Sequence, residues 1–279
     1  MDPPDRPVPP GAVAGAIGVD ARCSVCLIEA GPDYGARSSG RRPPELLDPR
    51  QRPRTHHWSY LGEGEGGVVP ESPAKVVGGC SSHNQCAILR PAPEDCQGWD
   101  REAGELAEVA REVTRHVPTA PYADEKLAFW QRAFLEAAVA AGVRRVHDVG
   151  DPAGPDGVGP FHANVREGVR WNAAFAFLDP VRGQPNVTVL PDVLVDRLVI
   201  EADRAVGLSC LQGNRMLEIA ARRFVVCAGA YGSPAVLLRS GVGPKRDLEA
   251  LGIPVLVERA GVGMNLHDGG RRRWRRSPR

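Results

Sequence analysis

The chain has 279 residues, 42% apolar and 25% charged, with a formal net charge of +1: globular material, long enough for one large domain or two smaller ones. The charge balance nominates no acidic partner, although six arginines crowd the last eleven residues, GGRRRWRRSPR, and leave the rest net acidic. No run of about twenty apolar residues is present, so no transmembrane helix is expected; MDPPDRPVPPG lacks the charged start and apolar centre of a signal peptide.

Residues 1–19 are rich in Pro and Gly and nothing in them reads as a strand. Then comes CSVCLIEAGPDYG, in which Val25–Ile28 reads as a buried strand closed by Glu29. An acid at that place can accept hydrogen bonds from a nucleoside ribose. Cys23 and Cys26 have CxxC spacing, but a redox CxxC opens a helix, and no second pair or His cluster completes a zinc site. The seven cysteines (Cys23, Cys26, Cys80, Cys86, Cys96, Cys210, Cys227) form no disulfide framework, which points to a reducing cytoplasm.

Residues 36–74 read as a long surface loop. The segment from Lys75 follows, where Val76 and Val77 run into Gly78, Gly79, Cys80, Ser81, Ser82, His83 and Asn84. Two glycines and small polar residues let backbone N–H groups approach a pyrophosphate or a flat ring. Arg101–Val117 reads as a mainly polar helix, and Asp124–Ala141 as a second, with Leu127, Trp130, Phe134, Leu135 and Ala138 as a core-packing stripe and Gly142 as the stop. Asn186–Leu190, Val193–Ile200, Ala205–Leu211 and Met216–Val226 read as strands in a hairpin-like rhythm. A buried strand is expected at Phe224–Cys227, running through Ala228-Gly229-Ala230 into a helix with Ser233 as N-cap, Pro234 at its first position and Gly241 as its stop.

GGCSSHN, followed by Pro93, Glu94, Asp95, Gly98 and Trp99 of PEDxxGW, resembles the first signature of the glucose–methanol–choline (GMC) flavin oxidoreductases, in the wording of their choline oxidase branch. RRFVVCAGAYGSPAVLLRSGVGP is similar to the second signature, and LIEAGPDYG, FHANVREGVRWNAAFAFLDP, GIPV and GVGMNLHD extend the likeness over most of Asp20–Asp268. The resemblance implies an α/β fold, α+β overall: a discontinuous Rossmann-like FAD-binding domain with part of a smaller substrate domain, an incomplete GMC fold. The boundaries it implies are an atypical N-terminal segment at 1–19, FAD-binding parts at 20–115 and 171–268, a partial substrate domain at 116–170, and an Arg-rich tail at 269–279, expected to be disordered.

Carried over residue by residue, the family pattern gives Glu29 to the adenosine ribose and sets Gly78, Gly79, Cys80, Ser81 and Asn84 beside the flavin. His83 matches the histidine joined covalently to the flavin, the backbone of Val195 meets the adenine, and Ala228 and Gly229 lie along the dinucleotide. The pattern is departed from at both ends. Gly11, Gly15 and Gly18 have GxxxGxxG spacing where the fold has a strand and GxGxxG, and Gly269 stands where GVGxNLxDH has its histidine. The paired catalytic residues of the family match nothing here, so no catalytic residue is assigned. The implied function is FAD-dependent oxidation of the CH–OH group of a small alcohol or choline-like donor, truncated and weakly active or inactive; the alternative is a non-catalytic remnant or an FAD- or partner-binding fragment. No nucleic acid and no metal is expected.

Overall fold

Two apolar runs far apart in sequence, Val25–Ile28 and Val187–Leu190, pair as parallel strands in the register Val25↔Val187 to Ile28↔Leu190. The computed structural model describes residues 18–64, 67–90, 103–151 and 154–266. The Pro93–Trp99 motif, Gly11, Gly15, Cys96, His267, Asp268, Gly269 and the arginine tail lie outside the described residues. The chain divides into two units, up to Asp192 and from Val193.

In the first unit the core forms where Val77, Ala174, Leu178, Val181 and Val187 meet, with Val25, Leu27 and Val189 packed against them. Each valine or leucine side chain fully withdrawn from water here contributes roughly 1.5–3 kcal/mol. The strand at Val25–Ile28 forms as expected, but Cys26 on it is exposed, because alternate side chains leave a strand on opposite faces and only one face meets this core. Residues 36–74 are more than a surface loop. Pro44–Leu47 is a helical turn with Leu46 fully buried, and Tyr60–Gly64 and Gly67–Glu71 form an antiparallel hairpin. Glycines and Pro70 within the hairpin hide its strand pattern from a reading by propensity.

Ala103–His116 is helical, as its polar periodicity predicts. The next helix is shorter than expected: Asp124–Lys126 is a separate 3₁₀ turn, the α-helix runs Phe129–Ala140, and Gly142 at φ +88° ends it. Its apolar stripe is not core. Trp130 is 80% exposed and Phe134 66%, and Trp130 packs edge-on against Phe129, itself exposed. Periodicity marks a face; it does not say what covers the face.

The second unit opens with an antiparallel meander, Leu194–Glu201, Arg204–Gln212 and Arg215–Ala220, whose first turn uses Ala202 and Asp203, both at positive φ. Phe224–Cys227, expected as a buried strand, is irregular and joins no sheet among the described residues, and Val225 is exposed. The helix that follows runs Gly229–Arg239, so Pro234 sits inside it and Ser233 is not its cap. Ser240, buried, accepts the Leu198 N–H at 2.8 Å and donates to the Val236 carbonyl, tying helix to meander. Among the described residues no helix is long and apolar enough to cross a membrane, and no group of His, Cys, Asp and Glu could hold a metal ion.

Candidate functional site

Val76 and Val77 are buried to within 1% and anchor the turn that follows them. Gly78 takes φ +105° and Gly79 +57°, and the chain enters a 3₁₀ turn, Gly79–Ser82. A Cβ on Gly78 would lie 2.4 Å from Ser82 Oγ and 3.3 Å from Asn172 Oδ1, so both the torsion and the space require glycine. Ser81 Oγ donates to the Gly78 carbonyl at 2.6 Å and accepts the Ala173 N–H at 2.8 Å, which fixes the turn against the segment after Arg170. Asn84 Oδ1 accepts the Cys86 N–H at 3.1 Å, while Cys80 is exposed, its sulfur near the Ala74 N–H.

His83 is half-buried, with Nε2 3.0 Å from the Thr55 carbonyl and its ring edge-on to His57. A carbonyl only accepts, so Nε2 carries the proton and the lone pair lies on Nδ1. Burial pushes the imidazole below its ordinary pKa; the Thr55 carbonyl opposes this, while His57, Arg170 and Arg52 add to it.

Glu29 leaves the end of its strand half-buried, its Oε1 accepting the Gly31 N–H at 2.8 Å. Burial raises its pKa, against the Gly31 and Ala30 amides and Lys75. A Cβ on Gly31 would fall 2.1 Å from the Lys75 carbonyl. With the Val77 N–H donating to the Pro32 carbonyl at 3.1 Å, that close approach stitches the acid's strand end to the start of the glycine turn. The chain just after Glu29 is therefore joined to the chain just before Gly78.

Val195, Ala228 and Gly229 belong to the second unit. Val195 pairs with Cys210 at the edge of a β-bulge, and its carbonyl accepts a long bond from Arg239, 3.4 Å. Ala228 precedes the helix, and Gly229 opens it at φ +83° with open space where a Cβ would stand.

Sequence reasoning missed the residues that hold the glycine turn. Arg42, buried, donates to Ser82 Oγ at 3.2 Å and the Val77 carbonyl at 3.1 Å and lies over the Phe175 ring. Asn172 Oδ1 accepts the Phe175 N–H, Asn164 donates to the Trp171 carbonyl at 2.6 Å, and Arg170 is wholly buried. Beyond them a single π-turn, Ala174–Leu178, closes with the Asp179 N–H on the Ala174 carbonyl, a device common beside functional sites. The available signal was polar Arg170 and Asn172 at the entry to the apolar run AAFAFL. A separate open cleft of about 560 Å³, lined by Tyr122, Asp124, Glu125, Arg145 and His147 among others, shares no residue with the turn.

Residues 67–269 match the family model described as GMC oxidoreductase. Oxygen-dependent choline dehydrogenase of Pseudomonas aeruginosa is 34% identical to this chain, the match taking in 89% of this chain and 49% of that protein. Its Rhizobium etli counterpart is 31% identical over 92% of this chain and 50% of its own length. Among solved structures, pyridoxine 4-oxidase from Mesorbium loti superposes with a TM-score of 0.76 at 29% identity, over 89% of this chain and 53% of that one. Formate oxidase, at 21% identity and a TM-score of 0.69, shares the fold. The chain spans about half the length of the curated relatives it matches.

Proposed function

We propose, from the premise that this chain belongs to the GMC oxidoreductase family, that it binds FAD on the Glu29 and Gly78–Asn84 segments and serves oxidation of the CH–OH group of a small choline-like alcohol. One observation carries the reading: the close approach of Gly31 to Lys75 joins the strand end that bears the half-buried Glu29 to the chain entering a turn whose Gly78 no side chain could replace. These residues fit the group. Glu29 offers an acceptor to a ribose hydroxyl, at a strand end suited to a dinucleotide. Gly78 and Gly79 keep Cβ atoms out of the way of a flat ring, and Cys80, Ser81 and Asn84 flank it. His83, neutral and with a lone pair on Nδ1, is the attachment residue. Val195, Ala228 and Gly229, which belong to the second unit, are the residues that the family pattern gives to the adenine and the dinucleotide, and by the same pattern 20–115 and 171–268 are assigned to FAD binding. FAD, when bound, supplies the hydride acceptor. Cys23, Cys26, Cys80 and Cys86 are in no disulfide, which suits a reducing cytoplasm.

A second reading is that the chain holds FAD without turning over alcohol. His56 and His57 have both ring nitrogens against protein partners, so neither is a ready acceptor for the alcohol proton. Anaerobic mixing of the FAD-loaded chain with choline and simple primary alcohols separates the two: bleaching of the flavin supports oxidation, and bound flavin that stays yellow supports the second reading. Absence of bound flavin overturns both.

A further inference from the structure

The guanidinium of Arg170 is wholly buried and is spent on backbone oxygen. Nε donates to the Asn84 carbonyl at 2.9 Å. One terminal nitrogen donates to the carbonyls of Leu46 at 2.8 Å and Glu45 at 3.1 Å, with that of Ser82 at 3.5 Å. The other donates to Gln51 at 2.6 Å and Asp48 at 3.0 Å. Among the described residues no carboxylate forms an ion pair with it. A buried cation without a counter-ion is costly unless its N–H groups find acceptors, and the planar fork of arginine meets carbonyls on two sides at once.

Those carbonyls come from two segments, the 45–51 turn and Ser82–Asn84. The Glu45 carboxylate in its turn accepts the Arg54 N–H at 3.1 Å and the Thr55 hydroxyl, and the Thr55 carbonyl faces His83 Nε2. The contacts close a ring: Arg170 to Glu45, Glu45 to Thr55, Thr55 to His83, and the neighbours of His83 back to Arg170. The geometry points to Arg170 as the positioning residue of His83, gripping both segments so that the imidazole is set against the Thr55 carbonyl as its Nε2–H tautomer. Its consequence for flavin attachment rests on the reading of His83 given above; the positioning belongs to the chain by itself. The titratable and charged groups facing the ring are His57, Arg170, Arg52 and, through Thr55, Glu45. A lysine keeps the charge but has three donors on one nitrogen and cannot span both segments.

The test is ¹⁵N-histidine NMR on the full chain without FAD, with His83 assigned from His83→Gln and His116 as the internal control. In the unsubstituted chain His83 is expected as the Nε2–H tautomer with a depressed titration midpoint. In Arg170→Lys it becomes a tautomer mixture whose midpoint moves up as water reaches the ring, His116 staying unchanged. In Arg170→Ala, added guanidinium restores the signature and ammonium does not. Glu45→Gln, which leaves Arg170 in place, loosens Thr55 and mixes the His83 tautomers while loss of the carboxylate's attraction moves the midpoint down, and it serves if the Arg170 variants do not fold. An unaltered His83 in folded Arg170→Lys, or in Glu45→Gln, overturns the proposal. As a second arm, FAD retained by acid-precipitated Arg170→Lys accumulates on the order of tenfold more slowly than in the unsubstituted chain. If the unsubstituted chain retains no flavin while the NMR arm holds, the reading of His83 fails and the positioning stands.

Discussion

At the scale of single residues, the ribose-binding role proposed for Glu29 sets binding against stability. Burial raises its pKa, so the folded chain holds a proton that the unfolded chain releases. Stability therefore falls as pH rises from the ordinary glutamate value through the raised one, and above that the penalty is complete. Glu29→Gln is expected to raise the melting temperature of the flavin-free chain at neutral pH, with the difference vanishing in acid below the ordinary carboxylate range. In the ribose-binding role proposed for Glu29 the same variant loses a charged acceptor, an interaction of about 1.5–3 kcal/mol, so FAD titration should show affinity weaker by roughly tenfold or more. The two glycines of the turn are not equivalent. Gly78→Ala meets Ser82 Oγ as well as a forbidden torsion, whereas a Cβ on Gly79 meets nothing. Urea titration should give a loss above about 2 kcal/mol for the first and about 1–2 kcal/mol for the second; equal losses would mean that the turn is looser than described.

At the scale of elements, the Phe129–Ala140 helix and the Gly229–Arg239 helix make opposite predictions. Trp130 stands 80% exposed, so Trp130→Gln should change the unfolding free energy from urea titration by no more than about 0.5 kcal/mol, where a core tryptophan would cost about 3–5 kcal/mol. Ser240 is small and polar but buried between helix and meander, and Ser240→Ala strands the Leu198 amide at a cost of about 1–3 kcal/mol. A reading by hydrophobicity ranks these two the wrong way round. The meander strands were legible because alternation and turn residues are local signals. The Tyr60–Glu71 hairpin was not, since glycine and proline inside it weaken the strand pattern while pairing across the turn sustains it. Phe224–Cys227 failed in the other direction: an apolar run supplies propensity, but a strand also needs a neighbouring strand to pair with.

At the scale of the whole molecule, family membership was legible from short strings because their glycines answer backbone constraints that leave no substitute, as Gly78 and Gly31 show. The support of the site was illegible for a related reason. Arg170 reaches carbonyls of residues 45 to 51, more than a hundred positions away, and a carbonyl has no side-chain identity to read. The same holds for the close approach of Gly31 to Lys75, which joins the chain just after Glu29 to the chain just before Gly78.

The central claim is that this turn and its histidine form a flavin site, and the visible spectrum of the purified chain before and after acid precipitation tests it most directly. The prediction is a flavin absorption band whose colour stays with the precipitate, and a His83→Ala variant that folds and releases its colour to the supernatant. A chain that remains colourless after incubation with FAD, or a His83→Ala precipitate that keeps its yellow, would contradict the account.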